Sequence, residues 1–257
     1  MRGWVAAHAC GIGSTHEAQG KPCQDAVCAL TGPLPFVIAC DGRGSAQRSE
    51  LGAAAGVAAF AALIKRHEDL IRDILGTGRR RNATRPLRWR NLVHNRIIPT
   101  LQAELVQLSS EYGLPAKEFE FTVSAAVVGP RHLGWLQLGD SRLVVVRSGS
   151  STPLCPPQNG QYANETCFLH AGDAVVQQTA CGLLPIHRVK ALIAHTDGLV
   201  ARFYEPGSRL PGPAFGRIAE LLATGAWNQA ALQALLGDRS WHRVTGDDHS
   251  LAAICKL

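Results

Sequence analysis

The residues best suited to chemistry in this chain are carboxylates set at the edges of apolar runs. Asp41 ends the run in VIACDGRGS, Asp140 separates two runs in LGWLQLGDSRLVVV, Asp197 follows the run in KALIAHTDGLV, and Asp247 and Asp248 directly precede one in RVTGDDHSLAAI. An oxygen-only donor set of this kind suits a metal cation. Any one Asp-Gly or Gly-Asp pair, taken alone, is the mark of a tight turn. Recurrence changes that reading: the arrangement returns in four segments of a chain with only 20 acidic residues, which points to one shared cation site.

The elements that must position these groups follow from the apolar pattern. Trp4 to Gly11 reads as a first strand and Ser14 to Gln24 as a polar connection. Asp25 opens a second strand, and a Gly32-Pro33 turn separates it from the one that delivers Asp41. Ser49 to Leu75 is helical in pattern, with Leu51, Ala55, Ala58, Ala62 and Leu63 able to share a face. A second helix is expected between Leu92 and Tyr112, kinked or started by Pro99 and stopped by Gly113-Leu114-Pro115. FEFTVSAAVVG, HLGWLQLG and SRLVVVRSG read as three successive strands of an antiparallel meander. Ser148 to Ala180 lacks periodicity and is expected to form loops with one short hairpin, a flap near a site. Two short helices, PAFGRIAELLAT and NQAALQALLG, precede the Asp247 turn and a last strand. Strands come in runs and helices in pairs, so the expected class is α+β with layered antiparallel sheets.

Composition bounds the rest. The chain has 257 residues, 46% of them hydrophobic, with no polar tract dividing it, and one domain spanning 1–257 is expected. The longest apolar stretch, Leu51 to Ile64, is too short to cross a bilayer, and MRGWVAAHACG lacks the apolar segment of a signal peptide, so the expectation is a cytoplasmic protein with no membrane partner. Eight cysteines without a CxxC pair read as buried free thiols. The net charge of +6 is local: Arg79, Arg80, Arg81, Arg85, Arg88 and Arg90 fall within twelve residues. They read first as an exposed, solvated loop away from the carboxylates, and alternatively as a docking segment for an acidic or phosphorylated partner. No aromatic interleaving or groove-reading module accompanies them, so nucleic acid is not expected.

In order and spacing the motifs resemble the metal-dependent serine/threonine protein phosphatases of the 2C class. The resemblance is to the compact bacterial branch whose N-terminal motif has the form GxSH…GxPCQDA, here GSTHEAQGKPCQDA. CDGRGS, EFTVSAAVV, QLGDSRLVVVR, HTDGLV and DDHSLAAI follow, and the match runs from about residue 11 to the C-terminus. It implies a four-layer α/β/β/α sandwich, two central antiparallel sheets flanked by helices, with a binuclear metal centre at one end. Carried over by residue, Asp41 would bridge two ions, the Gly42 carbonyl would ligate one, and Asp25, Asp197 and Asp247 would complete the set. Asp140 matches the ligand of a third, weaker ion. Mn²⁺ or Mg²⁺ is implied, with Asp41 and Asp197 central to catalysis by an activated water.

The substrate implied is a protein phosphorylated on serine or threonine by a partner kinase, and the phosphatase itself is expected to be a monomer. Departures from the family pattern leave Gly20 where an Arg would clamp phosphate, Gln24 in place of an acidic residue, and Arg43 where eukaryotic members have a His. Arg43 is the first candidate to bind phosphate and Lys21 the second. His8, His16, His195 and His249 lie in or beside the motifs and read as structural. Two other readings stand beside the enzyme: a phosphatase-like pseudoenzyme that docks a phosphorylated partner, and a hydrolase of small phosphate esters.

Overall fold

The structure, a computed structural model, describes residues 3–77, 82–156, 158, 166–172, 174–206 and 210–257. Its strands are β1 (Trp4–Gly11), β2 (Asp25–Leu30), β3 (Phe36–Asp41), β4 (Val123–Val128), β5 (His132–Leu138), β6 (Arg142–Arg147), β7 (Ser150–Pro153), β8 (Ala180–Pro185), β9 (Ala191–His195) and β10 (His249–Lys256). They form two five-stranded sheets, one ordered β1-β10-β9-β6-β7 and the other β2-β3-β4-β5-β8. All the pairings are antiparallel. The helices are α1 (Ser14–Ala18), α2 (Ser49–Arg66), α3 (Glu68–Arg72), α4 (Arg85–Leu92), α5 (Ile98–Tyr112), α6 (Ala174–Gln178), α7 (Val200–Phe203), α8 (Ala214–Ala223) and α9 (Gln229–Leu236).

Three apolar clusters define the layers. Val37, Ala39, Ala126, Leu143, Val145, Leu192 and Ile254 meet between the two sheets. Ile38, Phe60, Leu63, Leu101, Leu105, Ala125 and Leu136 join the β2–β8 sheet to α2 and α5. Val144, Ile193, Phe215, Leu222, Leu232 and Leu251 join the other sheet to α8 and α9. Each central strand is therefore covered on both faces. β4 is buried at every position, and so is β10 except at its last residue, which is why neither shows an apolar-polar alternation in sequence.

The antiparallel sandwich is as expected, but one connection differs from the meander. β4 and β5 pair with each other, whereas β6 leaves for the other sheet and pairs with β9. The chain changes sheet at Gly139, which adopts φ 92°, a left-handed conformation suited to glycine, and Asp140 lies on that crossover. β8 begins at Ala180, the last residue of the region expected to form loops, and is not among the expected strands. Its residues are only half-buried at the sheet edge, so its apolar signal is weak. The polar connection before β2 contains α1.

Other expectations are corrected by the packing. In α2 the buried face is Gly52, Ala53, Gly56, Phe60, Leu63 and Ile64, and Ala58 and Ala62 are exposed. In so Ala-rich a helix, alanine marks no face, and the bulk of Phe60 decides. The helix expected from Leu92 begins earlier: α4 starts at Arg85 and runs through a π turn, Val93–Ile97, into α5. That turn lies directly before Pro99, whose missing N–H and bulky ring disrupt regular α bonding to the turn before it.

The second half of the arginine segment is thus not an exposed loop. Arg85 is buried, Arg88 pairs with Asp73 at 2.6 Å, and the buried Trp89 indole donates to the Trp135 carbonyl at 3.0 Å. Trp89, Leu92 and Val93 have helical spacing, which the surrounding charges mask in sequence. Arg79, Arg80 and Arg81 lie outside the described residues. Only Cys40 and Cys255 are buried thiols; the other six cysteines are partly exposed. Among the described residues no helix is long and apolar enough to cross a membrane.

Candidate metal centre

The β2–β3 register sets Asp25 directly opposite Asp41, the first residue of one strand against the last of the other. Like charges in that relation destabilise a ladder. Hydroxyls hold the Asp25 carboxylate and the Asp41 backbone in place. Thr196, after β9 in the other sheet, donates its Oγ1 hydrogen to Asp25 Oδ2 at 2.7 Å and accepts from the Ser250 amide at 3.0 Å. Thr122, just before β4, accepts from the Asp41 amide at 3.3 Å and shares a 2.6 Å hydrogen bond with Ser141. The Thr of EFTVS, the Ser of GDSR and the Thr of HTDG are thus the frame around the carboxylates, a role that sequence motifs alone do not reveal.

Asp41, Asp140 and Asp197 each offer a carboxylate oxygen within 4.8 Å of the others. Asp197 stands in the turn after β9, where Gly198 passes so close to the Asp248 carbonyl that a Cβ would lie 2.0 Å from it. Asp140 accepts from the Thr166 hydroxyl at 2.7 Å. Asp25, opposite Asp41 in the ladder, is buried, and Asp247 is exposed. Gly42 is buried, and its amide donates to the Gln24 carbonyl at 3.2 Å.

Crowding leaves a clear electrostatic record. Burial, then the charges of Asp25, Asp197, Asp247 and Asp140, holds the Asp41 carboxyl well above the usual carboxylate range. Burial, then Asp248, raises Asp25, against the opposing hydrogen bonds of Thr196 and Ser250. Asp197 is pushed up to about 7, by burial first and then by Asp140 and Asp247. Asp247 is raised by desolvation and by its neighbours Asp248 and Asp140. Among the described residues, Asp197 Oδ1 is also a buried oxygen with no hydrogen-bond partner. An unpartnered buried oxygen within a knot of mutually repelling carboxylates is what a divalent cation would relieve, so the donor set fits such an ion.

Asp248 does something different. Its side chain is buried, with Oδ1 accepting from the Gly13 amide at 2.7 Å and Oδ2 from the Gln24 amide at 2.6 Å and contacting His16 Nδ1 at 2.8 Å. It fastens the α1 connection and the start of β2 to the start of β10. His16 therefore has a structural partner. His249 stacks on Trp241 and bonds the Leu236 carbonyl at 2.8 Å. His195 bonds the Thr196 carbonyl and the Tyr204 hydroxyl, and burial lowers its pKa to about 3, leaving it neutral. The His8 ring accepts from the Ala29 amide at 3.3 Å.

The phosphate-binding candidates are placed unequally. Arg43 forms an ion pair with Glu120 at 2.8 Å and donates to Ser45 at 3.1 Å, while Lys21 is exposed beyond α1. A cation absent from the sequence reading, Arg142 of the GDSR motif, offsets part of the negative charge around Asp197. Its guanidinium stacks 4.6 Å from the Tyr204 ring centroid.

Comparison with known proteins adds an independent line. The family model described as Protein phosphatase 2C matches residues 12–237. Serine/threonine-protein phosphatase 3 of Escherichia coli K12 is 27% identical over 209 residues, covering 76% of this chain and 74% of that protein. A serine-threonine phosphatase 2C from Toxoplasma gondii superposes with a TM-score of 0.70 at 13% identity, covering 99% of this chain and 95% of the other. The catalytic domain of the serine threonine protein phosphatase PstP, solved in complex with two manganese ions, superposes with a TM-score of 0.62 at 16% identity, covering 100% of both chains.

Proposed function

The chain belongs to the protein phosphatase 2C family of metal-dependent serine/threonine phosphoprotein phosphatases, and from that premise we propose that Asp41, Asp140 and Asp197 hold its ions together with Asp25, Asp247 and the Gly42 carbonyl. The observation that carries this assignment is the convergence of Asp41, Asp140 and Asp197 within 4.8 Å, with a buried Asp197 oxygen left unpartnered. Bound there, divalent cations supply a water made nucleophilic at neutral pH and positive charge for the phosphate. Mn²⁺ or Mg²⁺ suits the all-oxygen set, as a pair with a third at Asp140.

The chain's own residues do the positioning. Asp41 and Asp197 are the catalytic carboxylates, anchored by Thr122 and by the turn after β9. Asp25, held by Thr196, adds negative charge behind them. Arg43 is the first phosphate-binding candidate, and its use for that purpose requires its exchange from Glu120 to the incoming phosphate; Lys21 is the second. The substrate class is a protein phosphorylated on serine or threonine by an opposing kinase, taken by a monomer that is one domain over 1–257.

Hydrolysis of phosphoserine, phosphothreonine and phosphotyrosine peptides with Mn²⁺, with Mg²⁺ and with chelator tests this. The expected result is metal-dependent turnover of the first two, abolished by chelator. Turnover indifferent to metal overturns the assignment of the carboxylates. Metal binding with no turnover of any peptide returns the chain to the pseudoenzyme reading, and turnover confined to small esters to that of a small-molecule hydrolase.

A further inference from the structure

Cys10 and Cys23 lie against the back of the metal centre and play no part in the chemistry assigned above. Cys10 is in the last turn of pleat of β1, and Cys23 stands two residues before Asp25. Both thiols point at one atom: each Sγ donates to the Asp25 carbonyl oxygen at 3.9 Å, and Cys23 also reaches the Gly11 carbonyl at 3.9 Å. Each is only partly buried, so a small solute can reach the pair.

We propose that Cys10 and Cys23 are a reversible oxidation site, joined as a disulfide by a peroxide, and that the bond switches hydrolysis off by displacing Asp25. The steps balance. One thiolate attacks a peroxide oxygen; an S–O bond forms, the O–O bond breaks, and a first water leaves. The second sulfur attacks that sulfenic acid; the S–S bond forms, the S–O bond breaks, and a second water leaves. Two thiols are oxidised by two electrons, and hydrogen peroxide is reduced to two waters. A dithiol reductant reverses the bond.

The effect on the site follows from connectivity. The two sulfurs, each 3.9 Å from one carbonyl oxygen, must approach to about 2 Å to become a disulfide. β1 is held to β10 along its whole length, so Cys10 is the fixed partner. Cys23 precedes Gln24, whose amide bonds Asp248, and Asp25, whose carboxylate bonds Thr196. Drawing Cys23 toward β1 therefore pulls on both anchors, and with them on the carboxylate facing Asp41.

The site rests on the geometry of the thiols, and only the loss of turnover rests on the phosphatase reading, so the test separates the two. The full-length protein is treated with hydrogen peroxide, with and without later dithiothreitol. Non-reducing peptide mass spectrometry reads the linkage, calorimetry reads Mn²⁺ affinity, and phosphoserine-peptide hydrolysis reads activity. The expected result is a Cys10–Cys23 linked peptide with at least about a tenfold fall in Mn²⁺ affinity and in hydrolysis, the scale of losing a ligand's supporting contacts. Dithiothreitol restores both, and Cys10→Ser or Cys10→Ala keeps both through the same treatment. Absence of the linked peptide in the wild type overturns the proposal, as does a linked peptide that leaves Mn²⁺ affinity unchanged. Equal losses in the wild type and the Cys10 variants also overturn it.

Discussion

Asp25 and Asp41 are cross-strand partners, the first residue of β2 against the last of β3, so the ladder places a buried and a half-buried acid in register. Without a cation this pairing is unfavourable, and its persistence in the fold ties the register of the sheet to the site it serves. Replacing Asp41 by Asn removes one of the two charges. Mn²⁺ binding and phosphopeptide hydrolysis should both fall by more than the roughly 100-fold upper range seen for supporting residues. Calorimetry showing unchanged Mn²⁺ affinity would sink the assignment.

The metal-free protein should lose stability as pH rises. Asp197 titrates at about 7 in the fold against an ordinary 3.8, so it holds its proton more tightly when folded. Its favourable contribution is complete below pH 3.8 and is lost as pH climbs through about 7. Asp197→Asn removes the titration. Relative to that variant, chelated wild type should be less stable by on the order of a few kcal/mol at pH 8, and the two should converge near pH 4. Parallel melting curves across that range would contradict the raised value.

Asp248 receives two amides and contacts one imidazole, and none of these contacts is to the trio of candidate ligands. Asp248→Asn retains an acceptor for one amide and turns an NH₂ toward another donor. The folded state should lose about 3 kcal/mol, measured by denaturant unfolding with chelator present. A loss confined to the metal-loaded protein would make Asp248 a ligand instead.

Arg43 is engaged by Glu120 at 2.8 Å, so the two side chains compete for what the phosphate needs. Arg43→Ala should raise KM for a phosphopeptide by roughly tenfold, the scale of one charged hydrogen bond. Glu120→Gln should lower KM by freeing the guanidinium. If neither change moves KM while Lys21→Ala does, the lysine binds the phosphate.

The carboxylates that converge were more legible in the sequence than the wiring around them. Asp41, Asp140 and Asp197 announce themselves because a carboxylate beside an apolar run is rare enough to notice, and the structure brings them together. Their frame was not legible: Thr122, Ser141 and Thr196 are ordinary residues whose roles exist only once two sheets meet. The strand signals of β5 and β6 were plain, yet their spacing was silent on the change of sheet between them. Helix α4 was hidden because its buried apolar residues are two, Trp89 and Leu92, among arginines, and the Arg88 pairing with Asp73 depends on a residue fifteen positions away.

The carboxylates do not come from one side of the sandwich. Asp25 and Asp41 belong to the β2–β8 sheet, Asp197 and Asp247 to the ends of strands in the other, and Asp140 to the segment that passes between them. An ion held by this set would be a rivet driven through a seam, fastening two slabs that adhere through the apolar layer between them and hydrogen bonds such as that from Thr196 to Asp25. Removing it should let that one rim gape while the far ends of the strands stay closed. Amide exchange should then quicken around Asp41 and Thr196 on chelation and stay slow at Val128 and Ala191, so the protein would breathe like a hinged shell whose clasp is the candidate metal centre.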